Sequence, residues 1–482
     1  MTMAGVFPAP VLESLLAAPD RPALEIEGRT VTRGELLAMV RRIIGGLREA
    51  GLGPGSGIGM VLSLSPEAYA AHLAAHAVGC RVAAARPGWS AEQLRSALDR
   101  GRLDAVVADV PLDRPAFKLG ELLARGEAPA DPGGSIPVLA RPDDVARLTY
   151  TSGSTGQPKA CAHSYRAISL AYLSDRWAPV LSRLLTAFQR CLISENLASP
   201  VMFTYLGRCL IIGGTAVLTR GPVVLPDAIE RHRVTATLLP PARLHAVLRS
   251  PADLSSLRAV MIGGSPAGPQ LLRAATDRLG PIVWQGYGQG ESGVISILTP
   301  EDIAGGHVTS VGRPLPGVEV AIVDGEIRVR SPHRMVGYFD DPEETREVIR
   351  DGWVRTRDLG HLDADGMLYL TGRSRDIILV NAEVCYAGAI ERVLAADPQV
   401  AQAYVVGAPD PQTGEAIHAF VVPAGDHMPD TKRLVALVRS RLSANSVPTT
   451  LTIIRDVPVN PSGKPDKQAL LPANRDGPVR VM

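Results

Sequence analysis

Apolar and polar residues alternate with strand-like and helix-like periods over the first part of the chain. Residues Pro22–Thr32 alternate around Glu27-Gly28-Arg29, a pattern that predicts a β-hairpin. Apolar residues recur at helical spacing in Arg33–Ala50, and Pro66–Val78 has the composition of an alanine-rich helix. Apolar runs predict strands at Gly57–Leu64, Cys80–Ala85 and Ala105–Val110. Strands that alternate with helices indicate a parallel sheet with helices on both faces.

The middle of the chain continues this alternation. The segment Glu127–Arg141 is rich in Gly, Pro and Ala, which predicts a connector on the surface. Ser164–Ser182 has the pattern of a helix. The apolar run Val201–Leu218 contains Arg208, and we therefore expect a buried helix and strand there, not a membrane span. Further buried strands, each ending at proline or glycine, are predicted at Val234–Leu239, Ala259–Ile262 and Ile282–Tyr287.

The pattern changes to short β segments from Val311, and it changes again after a polar break at Gly372–Asp376. The chain beyond this break has the pattern of a compact α+β unit of about a hundred residues, an ordinary size for a domain. Its helices and strands are predicted at Gly388–Ala396, Ala401–Val406, Ala416–Val422, Thr431–Leu442 and Thr450–Ile454. The predicted fold class is therefore α/β, with a large N-terminal domain of α/β sheets plus a small β subdomain (1–375) and a C-terminal α+β domain (376–482).

Composition excludes some classes of partner. The 482 residues are too many for one compact domain, and 46% apolar with 21% charged residues is ordinary for a globular protein. Fifty basic residues against 49 acidic ones leave a net charge of +1, which favours neither nucleic acid nor an anionic membrane surface. The five cysteines lack CxxC spacing, and the N-terminus lacks a signal-peptide pattern. We therefore predict reduced, buried thiols in a cytoplasmic protein.

A stretch rich in glycine and hydroxyl groups comes after an apolar run that ends at Tyr150. Glycines 153 and 156 permit backbone angles at which successive N–H groups turn toward one anion, and Lys159 adds a positive charge. The spacing is not that of a Walker A loop. A plain surface loop is the alternative interpretation. As a phosphate-binding loop it would use Thr151, Ser152, Gly153, Ser154, Thr155, Gly156 and Lys159.

This stretch, Tyr150–Lys159, resembles the signature YTSGSTGxPKG of the adenylate-forming enzymes, which include acyl-CoA synthetases, adenylation domains of peptide synthetases and firefly luciferase. Ala160 stands where the family has glycine. Further elements in family order extend the resemblance over roughly residues 20–470, and several motifs in order are more specific than any one of them. The resemblance implies a mobile C-terminal domain.

A second element, Gln285–Glu291, resembles the family's YGxTE motif, with Gly290 in place of threonine. The resemblance implies that Tyr287 stacks on adenine and that Glu291 helps to hold Mg²⁺, for which a carboxylate oxygen is a suitable ligand. Gly286 and Gly288 flank the tyrosine. The turn Gly263-Gly264-Ser265-Pro266 resembles a GG(A/S)P turn that lines the adenine and acyl pocket, to which Gly264, Ser265 and Pro266 would contribute.

Two further elements complete the predicted nucleotide site. Asp351–Gly360 resembles the motif DGWxxTGD, which implies that Asp358 binds both ribose hydroxyls, although Arg357 replaces a glycine. Arg373 would also reach the ribose, and Asp376 aligns with the hinge of domain rotation. Pro458–Lys464 resembles PxTxxGK with Asn460 in place of threonine, and Lys464 would bridge the carboxylate substrate to the α-phosphate.

The resemblance to the family is weakest in the segments that, in the family, contact the acyl group and the acceptor. Phe203 stands where the family has an aromatic residue or histidine near the acyl group, although a core phenylalanine is the ordinary interpretation of such a residue. After Asp376 the family reads xIKxxGxxVxPxEIE, whereas this chain departs at Leu379, Ala382, Ala387 and Ala389. In the family this loop lines the tunnel for pantetheine, so either thioester formation is altered or the acceptor is unusual.

The resemblance implies an acyl-CoA ligase that uses Mg-ATP and coenzyme A. Thr155, Lys159, Glu291 and Lys464 would be its catalytic residues, and an apolar aryl, fatty or terpenoid acid its substrate, with Phe203 and Gly264 beside the acyl group. Three alternatives remain: a specialist for one half-reaction, acyl loading onto a carrier protein, and a non-catalytic binder of nucleotide or acyl-adenylate. We expect specialised metabolism, a monomer or homodimer, and no nucleic acid or membrane partner.

Overall fold

The computed structural model describes residues 5–126, 134–151, 159–173, 178–219, 224–265, 267–373, 376–381, 383–425, 427–458 and 465–471. Up to the predicted phosphate loop the elements are α1 Ala9–Leu16, β1 Pro22–Ile26, β2 Arg29–Thr32, α2 Arg33–Glu49, β3 Gly57–Val61, α3 Pro66–Ala77, β4 Arg81–Ala84, α4 Ala91–Arg100, β5 Ala105–Ala108, α5 Leu119–Arg125 and β6 Val145–Thr151.

Strands and helices continue to alternate after this loop. The elements are β7 Lys159–Ser164, α6 Tyr165–Ser169, α7 Pro179–Leu185, β8 Arg190–Ile193, α8 Pro200–Ile211, β9 Thr215–Leu218, α9 Leu225–Arg231, β10 Ala236–Leu239, α10 Pro241–Arg249, β11 Ala259–Ile262, α11 Pro269–Leu279, β12 Val283–Gln289, β13 Gly293–Leu298 and α12 Pro300–Ala304.

The rest of the chain is richer in antiparallel strands. Up to the polar break the elements are β14 Arg313–Pro314, β15 Glu319–Val323, β16 Glu326–Arg330, β17 Gly337–Tyr338, α13 Pro342–Val348, β18 Ile349–Arg350, β19 Trp353–Leu362 and β20 Leu368–Arg373. The C-terminal elements are β21 Ile377–Val380, β22 Glu383–Tyr386, α14 Ala387–Ala395, β23 Val400–Asp410, β24 Gly414–Pro423, α15 Thr431–Arg441 and β25 Thr450–Ile453. Short 3₁₀ turns lie at Leu170–Tyr172, Ala444–Ser446 and Gln468–Leu470.

These described strands form four sheets. The first has the order β14-β13-β12-β11-β10-β8-β9-β1-β2, with parallel pairing from β12 through β9 to β1, and the second has the order β17-β7-β6-β4-β3-β5. The third is the small antiparallel sheet β15-β16-β19-β18, with β20 beside β19. The fourth, β22-β21-β24-β23 with β25 beside β24, belongs to the C-terminal part. The predicted α/β fold class is confirmed.

Local sequence explains why several elements begin where they do. Glu27 and Gly28 have positive φ values of 49° and 80°, as a tight turn between β1 and β2 requires. Helix α2 begins with a capping box between Thr32 and Glu35, which satisfies two free N–H groups. Helix α3 is buried on nearly all sides, because its small alanines lie inside the main hydrophobic core.

The prediction of one helix at Ser164–Ser182 is wrong. Helix α6 ends at Ser169, a 3₁₀ turn comes next, and Leu173 is extended. The next helix begins with Pro179 in its first turn, where the fixed φ of proline and its missing N–H are tolerated. Proline inside a continuing helix would remove a hydrogen bond and clash with the preceding turn. The helical composition of this segment did not by itself predict the interruption before Pro179.

The predictions of buried thiols and of a buried helix and strand at Val201–Leu218 are confirmed. All five cysteines are buried free thiols. Among the described helices, none is both long and apolar enough to cross a bilayer. The run from Val201 to Leu218 is the buried helix and strand that its composition predicts.

Candidate active site

The predicted site residues lie partly within and partly outside the described residues. For Thr151 the backbone is described, as the last residue of β6. The described residues begin again at Lys159, the first residue of β7. Predicted site residues outside the described ranges are Ser152, Gly153, Ser154, Thr155, Gly156, Pro266 and Lys464. Their roles remain predictions.

The glycine turn after β11 lies beside the tyrosine element on β12. The two strands are parallel and Ile262 lies opposite Gln285, so Gly263 comes next to Gly286 and Gly264 lies one residue beyond it. Gly264 has a φ of 87°, a left-handed conformation that glycine adopts without strain. A Cβ atom on Gly288 would lie 2.4 Å from the carbonyl oxygen of Gly293, so this position requires glycine. The two predicted elements thus lie side by side at the carboxyl ends of the neighbouring strands β11 and β12.

Asp358 is the centre of a hydrogen-bond cluster on β19. The residue is 3% exposed. Its Oδ2 accepts hydrogen bonds from the Tyr287 hydroxyl (2.6 Å) and the Gln289 Nε2 (2.6 Å), and its Oδ1 accepts one from the Arg373 Nε (2.8 Å). The structure therefore brings three predicted nucleotide-binding residues, Tyr287, Asp358 and Arg373, into direct contact.

This cluster restricts how a ribose could bind. A carboxylate offers about four acceptor positions, and described side chains use three of those on Asp358. A second ribose hydroxyl would therefore have to replace one protein donor. Burial and the negative charge of Asp358 raise the pKa of Tyr287 well above its ordinary value. The tyrosine stays protonated and donates, so its ring and the carboxylate are held in a fixed relation.

Lys159 lies at the start of β7 and is paired with a carboxylate. Its Nζ is 2.5 Å from the Glu344 Oε1, to which the Arg357 guanidinium also donates at 2.8 Å. Burial alone would raise the pKa of Glu344, but the hydrogen bonds from Lys159 and Arg357 lower it below the ordinary value of 4.5. Arg357 has a φ of 60°, the region in which glycine is favoured. The arginine that replaces the family's glycine therefore shares the partner of the predicted catalytic lysine.

Glu291 and Lys159 both interact with Tyr338, the first with its hydroxyl group and the second with its ring. Strand β17 pairs with β7, so that Tyr338 lies opposite Cys161. The Tyr338 hydroxyl donates to the Glu291 Oε1 at 2.7 Å, and the Lys159 Nζ lies 5.2 Å from the centre of its ring. This contact fixes one oxygen of Glu291, and no described residue donates to the other. A hard oxygen ligand of this kind fits the Mg²⁺ ion that the resemblance implies.

A histidine supports the backbone next to Glu291. The His163 Nε2 on β7 donates to the carbonyl oxygen of Gly290 at 2.9 Å. Burial lowers the pKa of His163 to about 4, although the hydrogen bond to Gly290 opposes that effect. The side chain is therefore neutral at pH 7. It links the second sheet to the turn where glycine replaces the family's threonine.

Two predicted residues lie apart from these clusters. Phe203 is 3% exposed and packs in the core against the rings of Phe7, Tyr69 and His72. Asp376 lies near the Lys467 Nζ (3.6 Å), and that lysine also pairs with Glu391 at 2.7 Å. The proposed roles of Phe203 as a pocket wall and Asp376 as a hinge remain predictions.

Sequence reasoning missed four residues that organise these clusters: Gln289, Tyr338, Glu344 and His163. Gln289 lies within a quoted motif, so its position between Tyr287 and Glu291 was a usable signal. Tyr338 and Glu344 lie in short elements more than 170 residues from Lys159, and no local pattern predicts that β17 pairs with β7. Pairings of this kind depend on tertiary packing.

Comparison with known proteins gives a consistent result along nearly the whole chain. Residues 13–339 match the family model described as AMP-binding enzyme, and residues 389–464 match the AMP-binding enzyme C-terminal domain. The chain is 30% identical to the medium/long-chain-fatty-acid–CoA ligase FadD8 of Mycobacterium tuberculosis, over 94% of this chain and 87% of that protein. It is 31% identical to a feruloyl-CoA synthase of an Amycolatopsis species, over 93% and 94% of the two chains.

The fold is also similar to that of a solved enzyme with another acceptor chemistry. The structure of the amide bond synthetase McbA from Marinactinospora thermotolerans superposes with a TM-score of 0.81, and its sequence is 34% identical. The match covers 95% of this chain and 98% of the synthetase.

Proposed function

Because this chain belongs to the AMP-binding enzymes and is an AMP-forming acyl-CoA ligase, we propose that it activates an apolar aryl, fatty or terpenoid carboxylic acid for specialised metabolism. The observation that carries the site assignment is the contact of Tyr287, Asp358 and Arg373, three residues that separate motifs predict for one nucleotide. A non-catalytic binder would have little need of Lys464. The names of the two relatives specify a fatty acid and a feruloyl group, and both of these acyl groups are largely apolar.

In the proposed first step, an oxygen of the substrate carboxylate attacks the α-phosphorus of ATP. The bond from that phosphorus to the bridging oxygen breaks, and pyrophosphate leaves with the bonding electrons. The protein contributes position and charge neutralisation. Lys464, Lys159 and the hydroxyl-rich loop would supply the positive charge and hydrogen bonds, and Asp358 with Arg373 would hold the ribose.

Glu291 is the residue that would hold Mg²⁺. When bound, the ion neutralises phosphate charge as pyrophosphate develops. Tyr338 keeps one carboxylate oxygen in place, and His163 fixes the adjoining backbone at Gly290. A phosphate that bound to Lys159 would compete with Glu344, the carboxylate that Lys159 shares with Arg357.

In the proposed second step, the sulfur of CoA attacks the acyl carbon, AMP leaves, and the thiol proton passes to solvent. We propose that residues 376–482 rotate about Asp376 between the two steps. A carrier-protein thiol in place of CoA remains an alternative acceptor, as does restriction to one half-reaction.

An amine is a second candidate acceptor, and the hairpin after Asp376 favours it. Leu379 and Val384 are cross-strand partners on β21 and β22, and each is more than 40% exposed. Tyr386 is 39% exposed. An apolar hairpin face suits an apolar amine better than the charged ends of CoA, and the similarity to an amide bond synthetase points the same way. The amine nitrogen would attack the acyl carbon, and AMP and a proton would leave.

The experiment is a panel of aryl, fatty and polycyclic acids with ATP and Mg²⁺, divided into four arms. The arms contain no acceptor, CoA, a carrier protein with its phosphopantetheine arm, or an apolar primary amine. Pyrophosphate release and acyl products are measured together. Thioester formation from one class of acid supports the proposal, and amide formation alone supports the second candidate.

The variant Lys464→Ala separates the two steps. We expect it to abolish most pyrophosphate release and to spare thioester formation from a synthetic acyl-adenylate. Equal loss in both assays would contradict the role proposed for this lysine. If the wild-type protein shows no activity in any arm but binds nucleotide tightly, the result would support a non-catalytic binder.

A further inference from the structure

Arg147 is a buried cation on β6, four residues before Thr151. The residue is 3% exposed. Its Nη2 donates to the backbone carbonyl oxygens of Leu197 (2.6 Å) and Ala198 (3.1 Å), just before α8. The guanidinium carbon lies 4.5 Å from the ring centre of Phe203 on that helix. The side chain therefore reaches from the strand of the predicted phosphate loop to the predicted wall of the acyl pocket.

This guanidinium is only partly satisfied. Its Nε and Nη1 are buried, and neither has a hydrogen-bond partner among the described residues. Burial lowers the pKa of Arg147 to about 10, so it is still charged at neutral pH. Buried polar groups are nearly always hydrogen-bonded, and a charged donor without a partner is costly. An arginine retained in this state calls for an explanation other than packing.

The described surroundings of Arg147 offer no counter-ion. Its titratable neighbours are His72, His76 and Tyr172, together with His163 on the adjacent strand. Burial is the main cause that lowers the pKa of each histidine, and the charge of Arg147 lowers it further. These rings are neutral at pH 7, and the Tyr172 phenol is protonated because burial raises its pKa to about 12.

A second donor without a partner lies on the same face of β6. Thr149 is two residues beyond Arg147, so both side chains point to the same side of the sheet. The Thr149 Oγ1 is buried and, within the described ranges, has no hydrogen-bond partner. Donors without acceptors thus line this strand towards Thr151, which lies about 13 Å from Arg147 along the strand.

We propose that Arg147 binds an oxygen acceptor at the distal end of the acid substrate, and that Thr149 assists it. This inference rests on the proposed function and makes it more specific. The acceptor is a carbonyl, phenol or second carboxylate carried at the end of the substrate opposite the reacting carboxyl group. The substrate is then mainly apolar, as the proposed function has it, but it carries one polar group that satisfies the buried cation.

The test compares acids that differ only at the distal end. Pairs are 4-hydroxy- and 4-carboxycinnamic acid against 4-methylcinnamic acid, and dodecanedioic acid against tridecanoic acid. The readout is kcat/KM for pyrophosphate release, with the KM for ATP measured alongside. We expect the wild type to prefer the acceptor-bearing member of at least one pair by about tenfold or more, because a site built to donate hydrogen bonds rejects an analogue that lacks the acceptor.

Two variants assign this preference to the side chain. Arg147→Met keeps the length and removes the charge, and apolar replacements of buried charges are often tolerated. We expect it to lose the preference through a higher KM for the acceptor-bearing acid, with an unchanged KM for ATP. Arg147→Lys should restore part of the preference. A merely structural role would change the KM values for both acids and ATP together.

Each failure has a distinct signature. Activity without any preference in the wild type, or a preference that persists in Arg147→Met, overturns the role of Arg147 and leaves the proposed function standing. Absence of pyrophosphate release with every acid overturns the proposed function as well. If Arg147→Met does not fold, the wild-type preference and Arg147→Lys decide the question, because a lysine that keeps the full preference contradicts recognition by the guanidinium.

Discussion

Replacing Asp358 by asparagine removes one charge from the cluster that is proposed to hold the ribose. The carboxylate is 3% exposed and accepts hydrogen bonds from Tyr287, Gln289 and Arg373. The asparagine side chain has one acceptor oxygen. Its NH₂ group must therefore face either the donor on Arg373 or the two donors on Tyr287 and Gln289. At least one hydrogen bond is lost together with the ion pair. A charge-assisted hydrogen bond from a ribose hydroxyl to the carboxylate would contribute about 1.5–3 kcal/mol, which corresponds to roughly 10- to 150-fold in affinity for ATP.

We therefore expect Asp358→Asn to raise the KM for ATP by about 10- to 150-fold and to change the KM for the acid much less. The assay measures pyrophosphate release against ATP concentration at saturating acid. Asp365→Asn is the matched control, because this exposed carboxylate lies in the turn after the same strand. A KM for ATP within about twofold of wild type, in a folded Asp358→Asn protein, would refute the ribose assignment.

Three further predictions concern other parts of the site. Phe203→Ala should lower the free energy of unfolding, measured by urea denaturation, by about 3 kcal/mol, because a fully packed ring is lost. Val201→Ala on the exposed side of α8 is its control and should change this free energy by less than about 0.5 kcal/mol. His163→Gln should reduce the loss of stability between pH 6.5 and 4 by about 1 kcal/mol per pH unit, since the folded pKa lies below the unfolded one and only the unfolded state binds the proton there. Glu344→Gln should destabilise the protein at pH 7, and this difference should vanish as the pH falls below the lowered pKa of Glu344, where the wild-type carboxylate is also neutral.

These predictions can be contradicted separately. Equal effects of the alanine variants at positions 203 and 201 would mean that the ring does not carry the packing assigned to it. An unchanged pH slope in His163→Gln would mean that His163 is already exposed to solvent. A stability difference for Glu344→Gln that does not shrink as the pH falls through the acid range would show that its cause is not the ion pair with Lys159 and Arg357.

The sequence predicted the fold class and the regular elements well where the pattern was long and periodic. Helix α2 and strands β10–β12 are direct consequences of apolar spacing and of proline or glycine at their ends. It failed at Pro179, where a helical composition hides a break. Such a break depends on one residue and not on a period.

The candidate site was predictable only where motifs carry it. Tyr287, Asp358 and Arg373 were named from separate motifs, and the structure brings them into contact. The partners Tyr338 and Glu344 were not predictable, because strand pairing and tertiary packing bring them to Lys159 from far along the chain. The unsatisfied state of Arg147 was also hidden, since a lone arginine in an apolar strand does not reveal its partners.

The measurement that tests the central claim most directly traces an isotope through the reaction. An acid substrate labelled with ¹⁸O in its carboxyl group is incubated with ATP, Mg²⁺ and CoA, and the nucleotide products are analysed by mass spectrometry. If the carboxylate attacks the α-phosphorus and the acceptor then attacks the acyl carbon, AMP gains one ¹⁸O atom and pyrophosphate gains none. Formation of ADP with labelled inorganic phosphate, or of AMP without the label, would contradict the acyl-adenylate route.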